Sequence, residues 1–163
     1  MTRSVMIFTA VVFASLAAGA AVGQQKTDTT LSAEATRGKY VIQIGGCNDC
    51  HTPGYTASGG KVEEKLWLTG NVIGFRGPWG TTYAANLRLL VTNMTADQFM
   101  IFARTEYRPP MPWFNMRDMS DRDVKAIFAY LKHVGPAGQP APSYLPPDQV
   151  PSGPVVQFPA PPE

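Results

Sequence analysis

Cys47-Asn48-Asp49-Cys50-His51 is the densest group of reactive side chains in this sequence. The 163 residues include two cysteines and two histidines, and three of those four fall within these five positions. A redox-active dithiol would stand at the start of a helix, after a strand, in a βαβ setting. Here a helical pattern precedes the motif and no βαβ order is readable. A structural zinc site needs four ligands, and beyond Cys47, Cys50 and His51 the chain offers only His133. A plain disulfide stays open as an alternative, but it gives His51 no role. The remaining chemistry is haem attachment, with thioether bonds from Cys47 and Cys50 to the two porphyrin vinyl groups and His51 as the proximal iron ligand. The spacing suits it because the vinyls and the iron are fixed points on one rigid ring. One covalently bound haem c is the cofactor expected.

A second axial ligand follows from the same reading. His133 closes a helical pattern, where an imidazolium suits the carbonyl end of the helix dipole. Met94 and Met119 stand at helix-entry positions, Met100 lies within the apolar run FMIF, and Met116 is a weaker candidate in the approach to the last helix. Met111 differs, because RPPMPW places it between Pro110 and Pro112. Proline fixes φ and biases its predecessor to extended forms, so a thioether held there is pre-ordered to meet a metal. Met111 is therefore the expected distal ligand. Methionine ligation raises the reduction potential, and two protein ligands leave no open position for a substrate. That suits electron transfer rather than catalysis. The alternative is a haem-based enzyme or sensor with a labile distal ligand.

Three helices must position these groups. The first begins near Ser32, with Glu34 in its first turn and Tyr40, Val41 and Ile44 on one side, and Gly45-Gly46 ends it just before Cys47. The second begins at Thr95, which forms a capping box with Gln98, flanked by the staple pair Met94 and Phe99. The third begins at Ser120, with Asp123 at the capping position and Met119 and Val124 as a staple. Val124, Ile127, Phe128 and Leu131 give it an apolar stripe, and Gly135-Pro136 stops it. Residues 52–93 hold seven glycines and no long periodic run. A small hairpin of Lys65–Leu68 with Val72–Phe75 around Gly70-Asn71 is the expectation there. So little regular structure in a domain requires something to pack around.

The ends of the chain are of other kinds. Arg3 precedes an apolar run from Val5 to Val22, and small residues and then QQKTDTT follow. That order predicts a secretory signal over residues 1–23, and hence a periplasmic protein, followed by a polar lead over 24–31 and a domain over 32–134. An uncleaved anchor on the periplasmic face of the inner membrane is the alternative. Removing residues 1–23 lowers the net charge from +2 to +1, which gives no footprint for nucleic acid. From Gly135 to Glu163 there are ten prolines in 29 residues, so this tail is expected to be extended or disordered, with Tyr144, Val155, Val156 and Phe158 able to dock on the domain.

The order of helix, CxxCH, irregular middle, short helix, Met-Pro loop and terminal amphipathic helix resembles a class I mono-haem c-type cytochrome. Gly38-Lys39-Tyr40 before Cys47, together with PPMPWFNMRDMSDRDVKAIFAYLKHVGP, is similar to the haem domains of bacterial alcohol and aldehyde dehydrogenase cytochrome subunits. The resemblance covers roughly residues 34–135. It implies an all-α fold of three to five short helices around one haem, with Cys47, Cys50, His51 and Met111 as its holders. It further implies that the first and last helices cross near Gly38, Tyr40 and Tyr130. Members of that branch often carry three haem motifs, and this chain has one. The function implied is electron transfer, as a free carrier or as a small subunit of a dehydrogenase complex. The redox partner would be a dehydrogenase or a terminal oxidase. Trp67, Trp79, Trp113, Arg76 and Arg104 are further candidates, as partners of the haem propionates.

Overall fold

The computed structural model describes residues 30–159; the expected signal segment lies outside the described residues. Among the described residues, six α-helices follow in order: α1 Ala33–Ile44, α2 Cys47–His51, α3 Leu87–Leu90, α4 Ala96–Ala103, α5 Trp113–Asp118 and α6 Asp121–Val134. A 3-10 turn at Glu64–Leu66 and a three-stranded sheet complete the elements. The helical class holds, with one helix more than the expected upper number and a small sheet added. Among the described residues, no helix is long and apolar enough to cross a membrane.

The three expected helices start at their capping residues. Ser32 accepts the Ala35 N–H at 3.0 Å, Thr95 and Gln98 form the full capping box, and Ser120 accepts the Asp123 N–H at 3.1 Å. Each side chain satisfies a backbone donor that has no intrahelical partner.

α1 packs across α6 at Gly38. A Cβ there would lie 1.9 Å from the Ala126 carbonyl oxygen, so the crossing exists only because residue 38 has no side chain. The buried face of α1 is Ala35, Gly38, Val41 and Ile42. Tyr40 and Ile44, expected on that face, are instead 54% and 65% exposed. The turn of the helix that meets α6 is set by the Gly38 contact, and Tyr40 lies off it. From α6 the core takes Val124, Ile127, Tyr130 and Leu131, with Phe99 and Ala103 of α4 packed against them. Tyr130 is fully buried, and its hydroxyl donates to Glu64 Oε1 at 2.7 Å. Glu64 also pairs with Lys39 at 2.5 Å, so the 3-10 turn is tied to both crossing helices.

The hairpin is not where the sequence placed it. Strand β1, Gly74–Gly77, pairs antiparallel with β2, Gly80–Tyr83. Lys65-Leu66 lies in the 3-10 turn, and Gly70, at φ +84, sits where the Asn86 and Ala84 backbones leave no room for a Cβ. The proline-rich tail is extended, as its composition requires, and it is docked. Strand β3, Val155–Gln157, runs parallel to β1, and Leu145 bridges to Thr81 on the free side of β2. The tail thus lies along both edges of the hairpin. Arg76 holds the crossing, donating to Gln149 O at 2.7 Å and Pro147 O at 3.1 Å. Phe158 packs against Phe75 and Trp79.

Candidate functional site

α1 ends at Gly45, and Gly46 takes a left-handed conformation, φ +69. An L side chain is disfavoured there, so the glycine pair sets the direction in which the CxxCH helix departs. Within α2, Asn48 is buried and its Oδ1 accepts from Thr52 Oγ1 at 2.7 Å. Thr52 Oγ1 in turn accepts from the Leu68 N–H at 2.8 Å, and Gly70 N–H donates to His51 O at 2.8 Å. These bonds clamp α2 against residues 68–70.

One cavity of about 330 Å³ opens beside α2. Cys47, Cys50, His51 and Met111 all line it. The rest of its wall is mainly apolar: Ile42, Leu68, Phe99, Phe102 and Ile127 from the core, and Phe75 from the hairpin. Four residues 64 positions apart at their extremes are therefore brought to one void by the fold. The cysteines are unbridged, so the disulfide alternative finds no support in this geometry. Burial pushes the Cys47 thiol up to about 11, with Asp49 and Cys50 adding to the rise and a backbone hydrogen bond opposing it. Burial raises the Cys50 thiol as well.

His51 is buried, and its Nδ1 lies 2.7 Å from Ala85 O. A carbonyl only accepts, so Nδ1 carries the proton and Nε2 is left as the basic nitrogen. Burial lowers the ring's affinity for a second proton, although the Ala85 bond opposes this. A neutral imidazole with one oriented lone pair is the form a metal requires. Apolar walls, a bare imidazole nitrogen, a thioether and two unbridged thiols fit a covalently held haem.

Met111 is held by its neighbours. Pro109 O accepts from Thr82 Oγ1 at 2.8 Å, and Trp113 N–H donates to Met111 O at 2.8 Å. α5 follows at once, and Arg104 binds its last carbonyls: Nη1 donates to Met116 O and Arg117 O, and Nη2 to Met119 O. A cation suits that helix end. Met116 and Met119 also line the cavity. His133 does not line it and is exposed at the end of α6, in keeping with its helix-end role.

None of the five further candidates lines the cavity. Trp67 is buried and donates to Val62 O, Trp79 belongs to the hairpin turn, and Trp113 stacks under Arg117. Arg76 and Arg104 are engaged with backbone carbonyls as described. The polar groups that do line it include Tyr107, Arg108 and Asn115. All three were missed, although their nearness to PPMPW was a usable signal.

A helical fold holding a CxxCH helix and a proline-framed methionine at one apolar cavity defines a covalent-haem electron carrier. The comparison with known families agrees: the Cytochrome c family matches residues 35–135, and the chain belongs to that family. Its cofactor is haem c, and electron transfer is the chemistry of that family. Among curated proteins, the chain is 30% identical over 154 residues to "Alcohol dehydrogenase (quinone), cytochrome c subunit" of Gluconacetobacter polyoxogenes, covering 86% of this chain and 30% of that protein. It is 29% identical over 150 residues to the fructose dehydrogenase cytochrome subunit of Gluconobacter japonicus, covering 82% of this chain and 29% of that one. A third relative is a subunit of the nicotinate dehydrogenase of Pseudomonas putida, 29% identical over 118 residues, covering 66% of this chain and 9% of that protein. The chain thus spans less than a third of the length of each of these relatives. No solved structure matches significantly.

Proposed function

We propose that this chain carries one haem c, bound through Cys47 and Cys50, with His51 as the proximal and Met111 as the distal iron ligand. We further propose that it accepts electrons from a dehydrogenase, as the relatives named for alcohol, fructose and nicotinate dehydrogenases suggest. Its place is the periplasm, a reading supported by the charged start, apolar run and small residues of positions 1–23. The observation that carries the proposal is the shared cavity of Cys47, Cys50, His51 and Met111.

The bound haem supplies a one-electron ferric–ferrous couple. The chain does the rest. Ala85 O orients His51 and fixes its tautomer. The apolar lining excludes water and disfavours the more charged oxidation state, and the methionine sulfur raises the potential in the same direction.

Intact mass of the exported chain tests the attachment. A covalent haem retained after acid–acetone extraction is expected, with attachment impaired in Cys47→Ser and Cys50→Ser and abolished in the double variant. A mass without haem, in cells where a control cytochrome matures, overturns the proposal. Co-purification of the tagged chain with a dehydrogenase subunit tests the partner, and a haem-loaded chain that accepts no electrons from such an enzyme refutes that part alone.

A further inference from the structure

The segment that carries Met111 has few backbone donors. Pro109, Pro110 and Pro112 have no N–H to donate. Their rings stiffen the segment but do not fix where it sits; on its C-terminal side the Trp113 N–H and α5 anchor it, and on its N-terminal side placement rests on side chains that reach it from elsewhere. Two do. Thr82 Oγ1 donates to Pro109 O at 2.8 Å, and the Arg108 guanidinium lies 4.1 Å from the centroid of the Tyr144 ring. Arg108 lines the cavity and makes no salt bridge with a described residue.

Tyr144 belongs to the tail, beyond the span of the family match, and it is fixed from two sides. Its hydroxyl donates to Trp79 O at 2.8 Å. The next residue, Leu145, exchanges both backbone hydrogen bonds with Thr81, at 2.8 and 3.0 Å. The slot it occupies is specific. Gly80 sits at φ +99, and a Cβ there would fall 2.3 Å from Leu145 O and 3.0 Å from the Tyr144 ring. Three segments distant in sequence therefore meet at this ring: the hairpin turn, the tail and the residue three positions before Met111.

We propose that Tyr144 is a positioning residue for the distal ligand, and that the proline-rich tail is an internal strap holding the methionine segment against the haem. The proposal rests on Met111 being that ligand. The strap acts by restricting outward movement of Arg108–Pro110, and hence the opening through which an external ligand replaces the methionine sulfur.

The test is an imidazole titration of the ferric, haem-loaded full chain, followed by loss of the far-red Met–iron band. Tyr144→Ala removes a cation–π stack and a hydrogen bond, together a factor of about ten, so half-displacement is expected at about tenfold lower imidazole. Arg108→Ala removes the stack alone, worth about threefold. Tyr144→Phe keeps the stack and falls between wild type and Tyr144→Ala. The double variant is expected to match Tyr144→Ala, because both changes delete one contact. Should Tyr144→Ala fail to fold, Tyr144→Phe and Arg108→Ala carry the test. Half-displacement within twofold of wild type in the single variants, or fully additive effects in the double, overturns the strap. A far-red band that persists in Met111→Ala overturns the ligand reading and the strap with it. A band lost there but unshifted titrations in the tail variants overturns the strap alone.

Discussion

Gly38→Ala is expected to destabilise the protein out of proportion to the one methyl group it adds. The added Cβ would lie 1.9 Å from Ala126 O, 2.5 Å from its carbonyl carbon and 3.0 Å from Ile127 N. All three are backbone atoms of α6, so no rotamer change relieves the clash, and α1 and α6 must separate by about 1.5 Å to reach ordinary contact. Overpacking of this kind costs about 1–3 kcal/mol. Separation also thins the contacts among Ala35, Ile42, Ile127 and Tyr130, and a gap of about 1 Å forfeits up to about half of a dispersion well. Against this stands the helix-propensity gain of alanine over glycine, at most about 1 kcal/mol. The net is a loss of about 2–3 kcal/mol, and for a chain of this size a fall of roughly 4–12 °C in melting temperature. Thermal melting of the haem-loaded protein, followed by far-ultraviolet circular dichroism, measures it. Since the obstacle is the carbonyl at 126, Gly38→Ala/Ala126→Gly should be no more stable than Gly38→Ala. A single variant that melts within about 2 °C of wild type, or above it, would refute the close-crossing argument.

Other outcomes follow from the same core and its caps. Tyr130→Phe removes the hydroxyl that donates to Glu64 and should cost about 1–2 kcal/mol in denaturant unfolding. Burial raises the Glu64 carboxyl, but hydrogen bonds from Lys39 and Tyr130 outweigh it and hold the group below its usual value of 4.5. A depressed carboxylate contributes stability that is complete above its unfolded value and is lost as pH falls through the lower folded one. The stability gap between wild type and Glu64→Gln should therefore be constant at neutral pH and shrink below about pH 4.5; a gap that widens on acidification contradicts the assignment. Thr95→Ala deletes one half of the α4 capping box and should cost about 1 kcal/mol, read by urea unfolding.

The helices that carry their own punctuation were readable. Ser32, Thr95 and Ser120 cap where their side chains said they would, because capping is decided within four residues. α2, α3 and α5 were not readable. Each has four to six residues, too few for periodicity to show, and each is stable only against the tertiary structure around it. The hairpin escaped for a related reason. GFRGPWGTTY lacks alternation, and its strands form where the tail can line both edges and Arg76 can hold the crossing, pairings that span some seventy to eighty residues. The docking of Tyr144 and Phe158 was legible as apolar residues in a polar, proline-rich segment, but its target was not; Val155 and Val156, expected to dock with them, join β1 through their backbone and keep their side chains exposed.

At the site, types and spacing placed Cys47, Cys50, His51 and Met111 together, and the fold brings all four to one cavity. None of the five further tryptophans and arginines lines that cavity, and such side chains serve many structural ends. Arg76 and Arg104 bind carbonyls of the tail and of a helix terminus, which no local pattern announces.

The central claim is that His51 and Met111 close a six-coordinate haem c held by Cys47 and Cys50. The absorption spectrum of the exported, haem-loaded protein tests it most directly, oxidised and reduced, for wild type and Met111→Ala. Sharp c-type bands on reduction are predicted for both, with a weak far-red Met–iron band in the oxidised wild type that Met111→Ala abolishes. A far-red band unchanged in Met111→Ala, or no such band in wild type, would contradict the claim.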